Sequence, residues 1–303
     1  MDGLMLFITQ IINGLRAGSI YALVALGYTM VYGIIRLINF AHGDFIMVGG
    51  YTLAYTIPVM VAMGMPPWMA VILAVVICAI AGVLVEKLAY SPVRAKGTNM
   101  SALITAIAMS LFLENLAQAL FGANPRPVPT TLSLPKIMGF DGTTILTIVL
   151  CSIVMVALQI FVQKTSMGKK MRAVSEDKQA ATLMGVNVNR TITITFAIGS
   201  ALAAIASLTY CAQYNSVTTT MGAMLGLKAF VAAVLGGIGI IPGAMLGGFA
   251  VGLVESLSKA YIGVLTGGVI TSAFSDAVVF AILIVVLLVK PAGVLGKNVG
   301  EKV

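Results

Sequence analysis

The amino-acid sequence predicts an all-α polytopic membrane protein. Of its 303 residues, 59% are hydrophobic and only 9% are charged, whereas a soluble domain carries roughly 25% charged residues. The apolar segments are about 20 residues long, which is the length that a helix needs to cross a hydrocarbon core of about 30 Å. Because a helix satisfies its own backbone hydrogen bonds in lipid, these segments are expected to be helical. We predict eight or nine transmembrane helices in a single domain, residues 1–303.

The first half of the chain contains five predicted spans. Residues 4–13 are apolar but too short to cross, and they predict an interfacial helix that leads into a first span at residues 17–35. The next spans are expected at residues 45–63, 68–88, 99–121 and 143–162. Polar residues in the sequence NFAHGDF break the chain between the first two spans. Four prolines in residues 122–142 predict an extended loop.

The second half contains four further predicted spans and a second break. The spans are expected at residues 191–211, 227–235, 242–261 and 269–289, with an uncharged loop at residues 212–226. The break lies in GGIGIIPGAMLGG, where Gly237 is suited to end one helix and Pro242 to begin the next. If either break is re-entrant, the number of crossings falls from nine to eight.

Residues 164–190 are predicted to form a cytoplasmic coupling loop. They hold six of the 18 lysines and arginines, and Ser175 and Gly185 are suited to cap a short helix between them. Residues 86–97 and 290–303 hold three basic residues each, against two in residues 122–142 and none in residues 212–226. The positive-inside rule therefore places the first three segments in the cytoplasm and the N-terminus outside.

Several classes of function lack their motifs in this chain. The sequence contains no GxxxxGK[ST] phosphate loop, no HExxH and no GxSxG, so neither ATP hydrolysis by a phosphate loop nor an intramembrane hydrolase is expected. One histidine does not predict a multi-histidine metal site. The net charge of +8 lies in short loops beside the spans, which indicates the bilayer surface as a partner, with no nucleic acid.

Two interpretations of the first break remain open. Asn39 and Asp44 are suited to cap the two helix ends, with His42 hydrogen-bonded to freed backbone. Alternatively, Asn39, His42 and Asp44 line a gate. The second break occupies a matching position in a weak internal repeat, and paired broken helices mark the substrate path in many transporters. Its candidate gate residues are Gly236, Gly237, Gly239, Pro242 and Gly243; close helix packing is the alternative explanation for the glycine run.

Five charged residues fall within predicted spans. They are Glu114, Lys228, Glu255, Lys259 and Asp276. Each would cost roughly 2.5–3.5 kcal/mol at the bilayer centre. We expect them to pair with one another or to reach the interface, and we do not interpret them as a proton relay.

The chain resembles the high-affinity branched-chain amino acid ABC permease family, specifically its H-type subunit. The resemblance lies in residues 18–45, 170–186, 228–248 and 290–296, which end in KPAGVLG. The central loop approximates the E-A-A-x-x-x-G signature of importer permeases, although Gln179 replaces the glutamate. The residues expected to couple to an ATPase are Ser175, Glu176, Asp177, Gln179, Ala180, Ala181 and Gly185.

This resemblance implies a non-enzymatic permease of the bacterial inner membrane that imports leucine, isoleucine and valine. It implies a second, M-type permease, two cytoplasmic ATPases that bind ATP and Mg, and a periplasmic binding protein as partners, with no cofactor in this chain. An ion-coupled secondary transporter is the alternative, and it would concentrate substrate without ATPases. A membrane scaffold, the third possibility, would tolerate changes in the glycine-rich breaks.

Overall fold

Helices dominate residues 3–37, 39–129 and 141–296, the part of the chain that this computed structural model describes. The first six helices are α1 (Gly3–Ile35), α2 (Asp44–Ala62), α3 (Trp68–Val85), α4 (Ser91–Lys96), α5 (Asn99–Phe121) and α6 (Gly142–Lys164). The next six are α7 (Ser166–Glu176), α8 (Lys178–Leu183), α9 (Val188–Tyr214), α10 (Met221–Gly236), α11 (Ile241–Leu265) and α12 (Ser275–Val289). Two short strands are β1 (Arg126–Pro127) and β2 (Ser216–Val217). Short 3₁₀ turns cover Phe40–His42 and Ser272–Phe274, and a π-helical turn covers Glu86–Tyr90.

Eight helical segments of the described residues are long and apolar enough to cross a bilayer, which confirms the expected all-α polytopic fold. The predicted span at residues 227–235 is not one of these eight. It belongs to α10, which begins at Met221 and has 16 residues, about 24 Å at 1.5 Å per residue and shorter than the hydrocarbon core. Because α9 runs to Tyr214 and α10 starts at Met221, the predicted loop 212–226 was too long.

The predicted division between an interfacial helix and a first span is wrong. Helix α1 is continuous over 33 residues, about 50 Å. Where the break was predicted, contacts with α6 and α11 hold α1 in one continuous helix. Arg16 donates a hydrogen bond to Thr143 on α6 at 3.2 Å, and Gly14 lies so close to α11 that an added Cβ would be 2.8 Å from the Cα of Leu253.

Helix α1 lies at the centre of the bundle and packs against α6, α9, α10 and α11. Glycines make the α1–α11 contact close. A Cβ on Gly248 would lie 2.5 Å from the Cα of Ala22, and a Cβ on Gly252 would lie 2.2 Å from the backbone nitrogen of Gly18. The structure therefore confirms close packing for the glycine run of α11.

Four of the five predicted intramembrane charges form one network. Lys228 Nζ lies 2.9 Å from Glu255 Oε1 and 2.7 Å from Asp276 Oδ1. Lys259 Nζ lies 2.5 Å from Glu255 Oε1, and the Tyr21 hydroxyl donates to Glu255 Oε2 at 2.5 Å. This confirms mutual pairing but corrects the expectation of snorkelling for Lys228 and Glu255, which are buried inside the bundle. The fifth charge, on Glu114, lies outside this network.

The proline-rich loop that begins at residue 122 and the uncharged loop before α10 meet at one end of the molecule. Strands β1 and β2 pair antiparallel, with Arg126 opposite Val217. Residues 122–129 are extended apart from a bend, as predicted, whereas residues 130–140, including Pro135, lie outside the described residues. Helix α9 separates this end from the end that holds α7 and α8, which we call the coupling end.

Candidate coupling segment and helix breaks

The predicted coupling helix is divided into two helices, α7 and α8. Asp177 caps α8, because its Oδ1 accepts hydrogen bonds from the backbone N–H groups of Gln179 at 2.7 Å and Ala180 at 3.0 Å. The prediction that Ser175 is the N-cap is wrong. Ser175 lies in the last turn of α7, where its hydroxyl donates to the carbonyl of Arg172 at 2.7 Å. Met171 and Val174 are buried, so packing extends α7 past the serine.

Gly185 ends this segment in the left-handed conformation that the sequence predicts, with φ +80°. Its N–H donates to the carbonyl of Thr182 at 2.9 Å, and no atom lies within 4 Å of an added Cβ. Leu183 and Met184, just before it, are 88% and 84% exposed. These two side chains form an apolar tip, which we call the coupling tip. Gln179 and Ala180 are also exposed, whereas Ala181 is buried.

The coupling segment contacts the first break directly. Arg36 Nη2 donates to the carbonyl of Ser175 at 3.3 Å, and Lys178 Nζ donates to the carbonyl of Ile35 at 3.4 Å. Arg36 has φ +59°, a conformation that is uncommon for a residue with a side chain. Partial burial lowers the pKa of Lys178, and so do the nearby guanidinium groups of Arg94 and Arg36. A displacement of α8 therefore acts on the backbone at which α1 ends.

Asn39 connects the first break to α3 and does not cap a helix. It precedes the 3₁₀ turn without a capping hydrogen bond, and its Oδ1 accepts from the Tyr90 hydroxyl at 2.6 Å. Tyr90 belongs to the π-helical turn, a type of turn that is frequent at functional sites. Glu86 begins that turn and is held by Arg94 at 3.1 Å and Thr193 at 2.8 Å. Nothing in the local sequence indicated the Asn39–Tyr90 pair.

His42 fills a space between α1 and α9 that two glycines leave open. Its side chain is buried. A Cβ on Gly27 of α1 would lie 2.1 Å from its Nε2, and a Cβ on Gly199 of α9 would lie 3.4 Å from its Cε1. The imidazole contacts the Tyr28 ring edge-on, with 4.8 Å between centroids. It hydrogen-bonds to the backbone of Val24, in the interior of α1 and not at backbone freed by the break, while Nε2 has no hydrogen-bond partner among the described residues.

Asp44 begins α2 but makes no capping hydrogen bond, so the predicted capping role is wrong. Gly43 is the residue at the N-cap. Asp44 is completely buried, and neither carboxylate oxygen has a hydrogen-bond partner within the described chain. Its Oδ1 lies 2.8 Å from the position of a Cβ on Gly222, in the first turn of α10. The N-termini of α2 and α10 therefore meet at this carboxylate, and both helix dipoles favour its negative charge.

The second break is packed tightly and closed by the C-terminal segment. Gly237 ends α10 with φ +108°, and Pro242 lies in the first turn of α11, both as predicted. A Cβ on Gly236 would lie 1.8 Å from the carbonyl oxygen of Gly243. The N–H groups of Val294 and Leu295 donate to the last carbonyls of α10 at 2.8 and 3.1 Å. The closing KPAGVLG sequence thus caps this break.

The end of α1, the second break and α7 surround a cavity of about 100 Å³ at the coupling end. Its lining includes Gly33, Gly239, Arg172 and Ser175. His42 and Asp44 do not line it; they lie against Gly27 and Gly222. The structure therefore brings the coupling segment to both breaks, but it separates the buried residues of the first break from the glycines of the second. The gate roles themselves stay predictions.

These features define a multi-pass helical membrane protein with two interrupted helix pairs and a polar helical segment at one end. A family model described as "Branched-chain amino acid transport system / permease component" matches residues 10–287. The chain belongs to this family, which confirms the resemblance inferred from its sequence motifs.

Individual relatives cover almost the whole chain. It is 41% identical to the high-affinity branched-chain amino acid transport system permease protein LivH of Escherichia coli K12, over 98% of each chain. It is 39% identical to the corresponding protein BraD of Pseudomonas aeruginosa, again over 98% of each. Among solved structures, PsaBC from Streptococcus pneumoniae in complex with Fab aligns with a TM-score of 0.47 and 14% identity, over 92% of this chain and 91% of that one.

Proposed function

We propose that this chain is a permease subunit of an ABC importer for leucine, isoleucine and valine in the bacterial inner membrane. The observation that carries the proposal is the 41% identity, over 98% of both chains, to a permease named for branched-chain amino acid transport. The expected partners are an M-type permease, two cytoplasmic ATPases that bind ATP and Mg, and a periplasmic amino-acid-binding protein. This chain supplies part of the translocation path.

In this proposal the coupling tip docks into an ATPase. Leu183 and Met184 are apolar and exposed, and exposed apolar side chains beside a polar rim suit a protein interface. Asp177 fixes the start of α8 behind them, and the left-handed Gly185 turns the chain back towards α9. Closure of the ATPases would push α8 against Arg36 and Ile35, and so move the end of α1.

Replacing Gly185 with valine tests the docking role. A β-branched side chain is strained at φ +80° and adds bulk beside the coupling tip. We expect uptake in proteoliposomes that contain the full importer to be lost while ATP hydrolysis continues. Gly64→Val is the matched control, because Gly64 has φ +70° and equally open surroundings, in the α2–α3 turn. Equal uptake by the two variants would refute the proposed coupling role.

An ion-coupled secondary transporter is the alternative function. The observation in its favour is Asp44, a buried carboxylate without an ion-pair partner among the described residues. Proteoliposomes that contain the two permeases but no ATPases separate the two functions. Leucine accumulation driven by an ion gradient in such vesicles would support the alternative, whereas a strict requirement for ATPases and ATP would support the importer.

A further inference from the structure

A cleft between α2 and α5 has an apolar cavity as its body and, one helical turn beyond the residues that line this cavity, two carboxylates that form an acidic end. One face of α2 carries Asp44, Val48, Tyr51 and Tyr55, whose spacing of three or four residues places them in one stripe. The opposite helix presents Ser110, Glu114, Ala117 and Phe121 at the same spacing. The two stripes meet where Tyr51 stacks on Phe121, with 4.6 Å between ring centroids.

The apolar body is a cavity of about 410 Å³, within the range of roughly 300–1,000 Å³ that is typical of small-molecule sites. Its lining includes Met47, Tyr51, Thr52, Leu113, Ala117 and Leu120. The Tyr51 side chain is 2% exposed, yet its hydroxyl has no hydrogen-bond partner among the described residues. Buried polar groups are normally hydrogen-bonded, so this hydroxyl is free to bond a water molecule or a polar group of a ligand.

The acidic end lacks a positive charge. Asp44 is completely buried with both carboxylate oxygens unpartnered, and Glu114 Oε1 is buried and unpartnered as well. Ser110 faces Asp44 without a hydrogen bond of normal geometry. No lysine or arginine in the described ranges forms an ion pair with Asp44 or Glu114. By contrast, two lysines balance the acids of the Lys228 network.

We propose that this cleft binds the aliphatic amino acid during its passage through the membrane. The ammonium group lies at Asp44 and Glu114, where it supplies the missing positive charge, and the branched side chain lies in the cavity lined by α2 and α5. An inorganic cation would match the carboxylates but not the apolar cavity, and a lipid acyl chain would match the cavity but not the carboxylates. This inference rests on the proposed function and assigns a binding site to it.

A leucine analogue with an alkyl diazirine in its side chain tests the site directly. The full importer, reconstituted with its binding protein and ATP, is irradiated during turnover, and the modified peptides are mapped by mass spectrometry. We expect labelling within residues 47–55 and 113–121 that excess leucine suppresses. Labelling elsewhere in the chain would refute the site, and labelling here that leucine does not suppress would identify a lipid site instead.

Two pairs of variants add controls. Asp44→Asn is expected to reduce this labelling by about thirtyfold or more, since it removes one partner of a buried charge pair. Asp141→Asn, at the exposed start of α6, is expected to retain the labelling. Ala117→Leu fills the cavity and is expected to reduce leucine uptake more than valine uptake. Ala119→Leu makes the same change on the exposed face of α5 and preserves the leucine-to-valine ratio. An unchanged ratio in Ala117→Leu would contradict the inference.

The outcomes for the inference and for the proposed function differ. A wild-type importer that moves no branched-chain amino acid would refute the proposed function. An importer that moves leucine without labelling the α2–α5 cleft would refute the site alone.

Discussion

Replacing Gly252 with alanine tests whether α1 and α11 move as one rigid body. The new Cβ would lie 2.2 Å from the nitrogen of Gly18 and 2.4 Å from the carbonyl oxygen of Gly14. Restoring an ordinary contact of 3.4 Å requires the two backbones to separate by about 1.2 Å. Since these contacts involve backbone atoms, no side-chain rotation can relieve them. Overpacking of this kind costs about 1–3 kcal/mol.

Gly263→Ala is the matched control in the same helix. A Cβ there meets only the carbonyl oxygen of Ile270, at 3.7 Å, so the variant should be neutral or gain up to about 1 kcal/mol of helix propensity. Stability is measured by SDS-induced unfolding of the purified protein in detergent. We expect Gly252→Ala to be less stable than Gly263→Ala by about 1–3 kcal/mol, because both variants share the gain in helix propensity and only Gly252→Ala is overpacked. Equal stability of the two variants would show that α1 and α11 can separate freely, and would refute the rigid contact.

Three further predictions concern the coupling end and the opposite loops. Arg36→Gly suits the positive φ at this position but removes the contact with Ser175. We therefore expect normal protein levels and unchanged ATP hydrolysis, with reduced uptake. Wild-type uptake would contradict a role for this contact. Asp177→Ala removes both capping hydrogen bonds of α8 and should cost about 0.5–2 kcal/mol of helix stability. The loss should be measured as faster amide hydrogen exchange in residues 178–184. Asp177→Ser, which can still cap the helix, should retain the protection from exchange. Cysteines at Asn124 and Thr218 should both react with an impermeant thiol reagent from the periplasmic side, because β1 and β2 join their loops; labelling from the cytoplasmic side would overturn the predicted orientation.

The two breaks were predictable because their causes are local. The polar residues of NFAHGDF and the pairing of Gly237 with Pro242 interrupt helices wherever the rest of the chain lies. The left-handed Gly185 was predictable for the same reason, since little but glycine suits a cap with positive φ.

The partners of these residues were not predictable, because they come from distant segments. Tyr90 reaches Asn39 across 51 residues, and no local pattern encodes this pair. Pairing among the intramembrane charges was expected, but the particular contact of Lys228 with Glu255, 27 residues away, was not. The choice of Asp177 over Ser175 as the cap is also tertiary. Both side chains can cap a helix, but burial of Val174 and Met171 keeps the serine inside α7.

The central position of α1 has a consequence for how the protein is made. Helix α1 leaves the ribosome well before α11, yet its closest glycine contacts are with that later helix, and Tyr21 pairs with Glu255, 234 positions further on. Until α11 is inserted, the glycine face of α1 has only lipid or an insertion factor to cover it. Final assembly therefore waits for the C-terminal third of the chain, and a truncation before α11 should leave α1 in the membrane as a target for quality-control proteolysis.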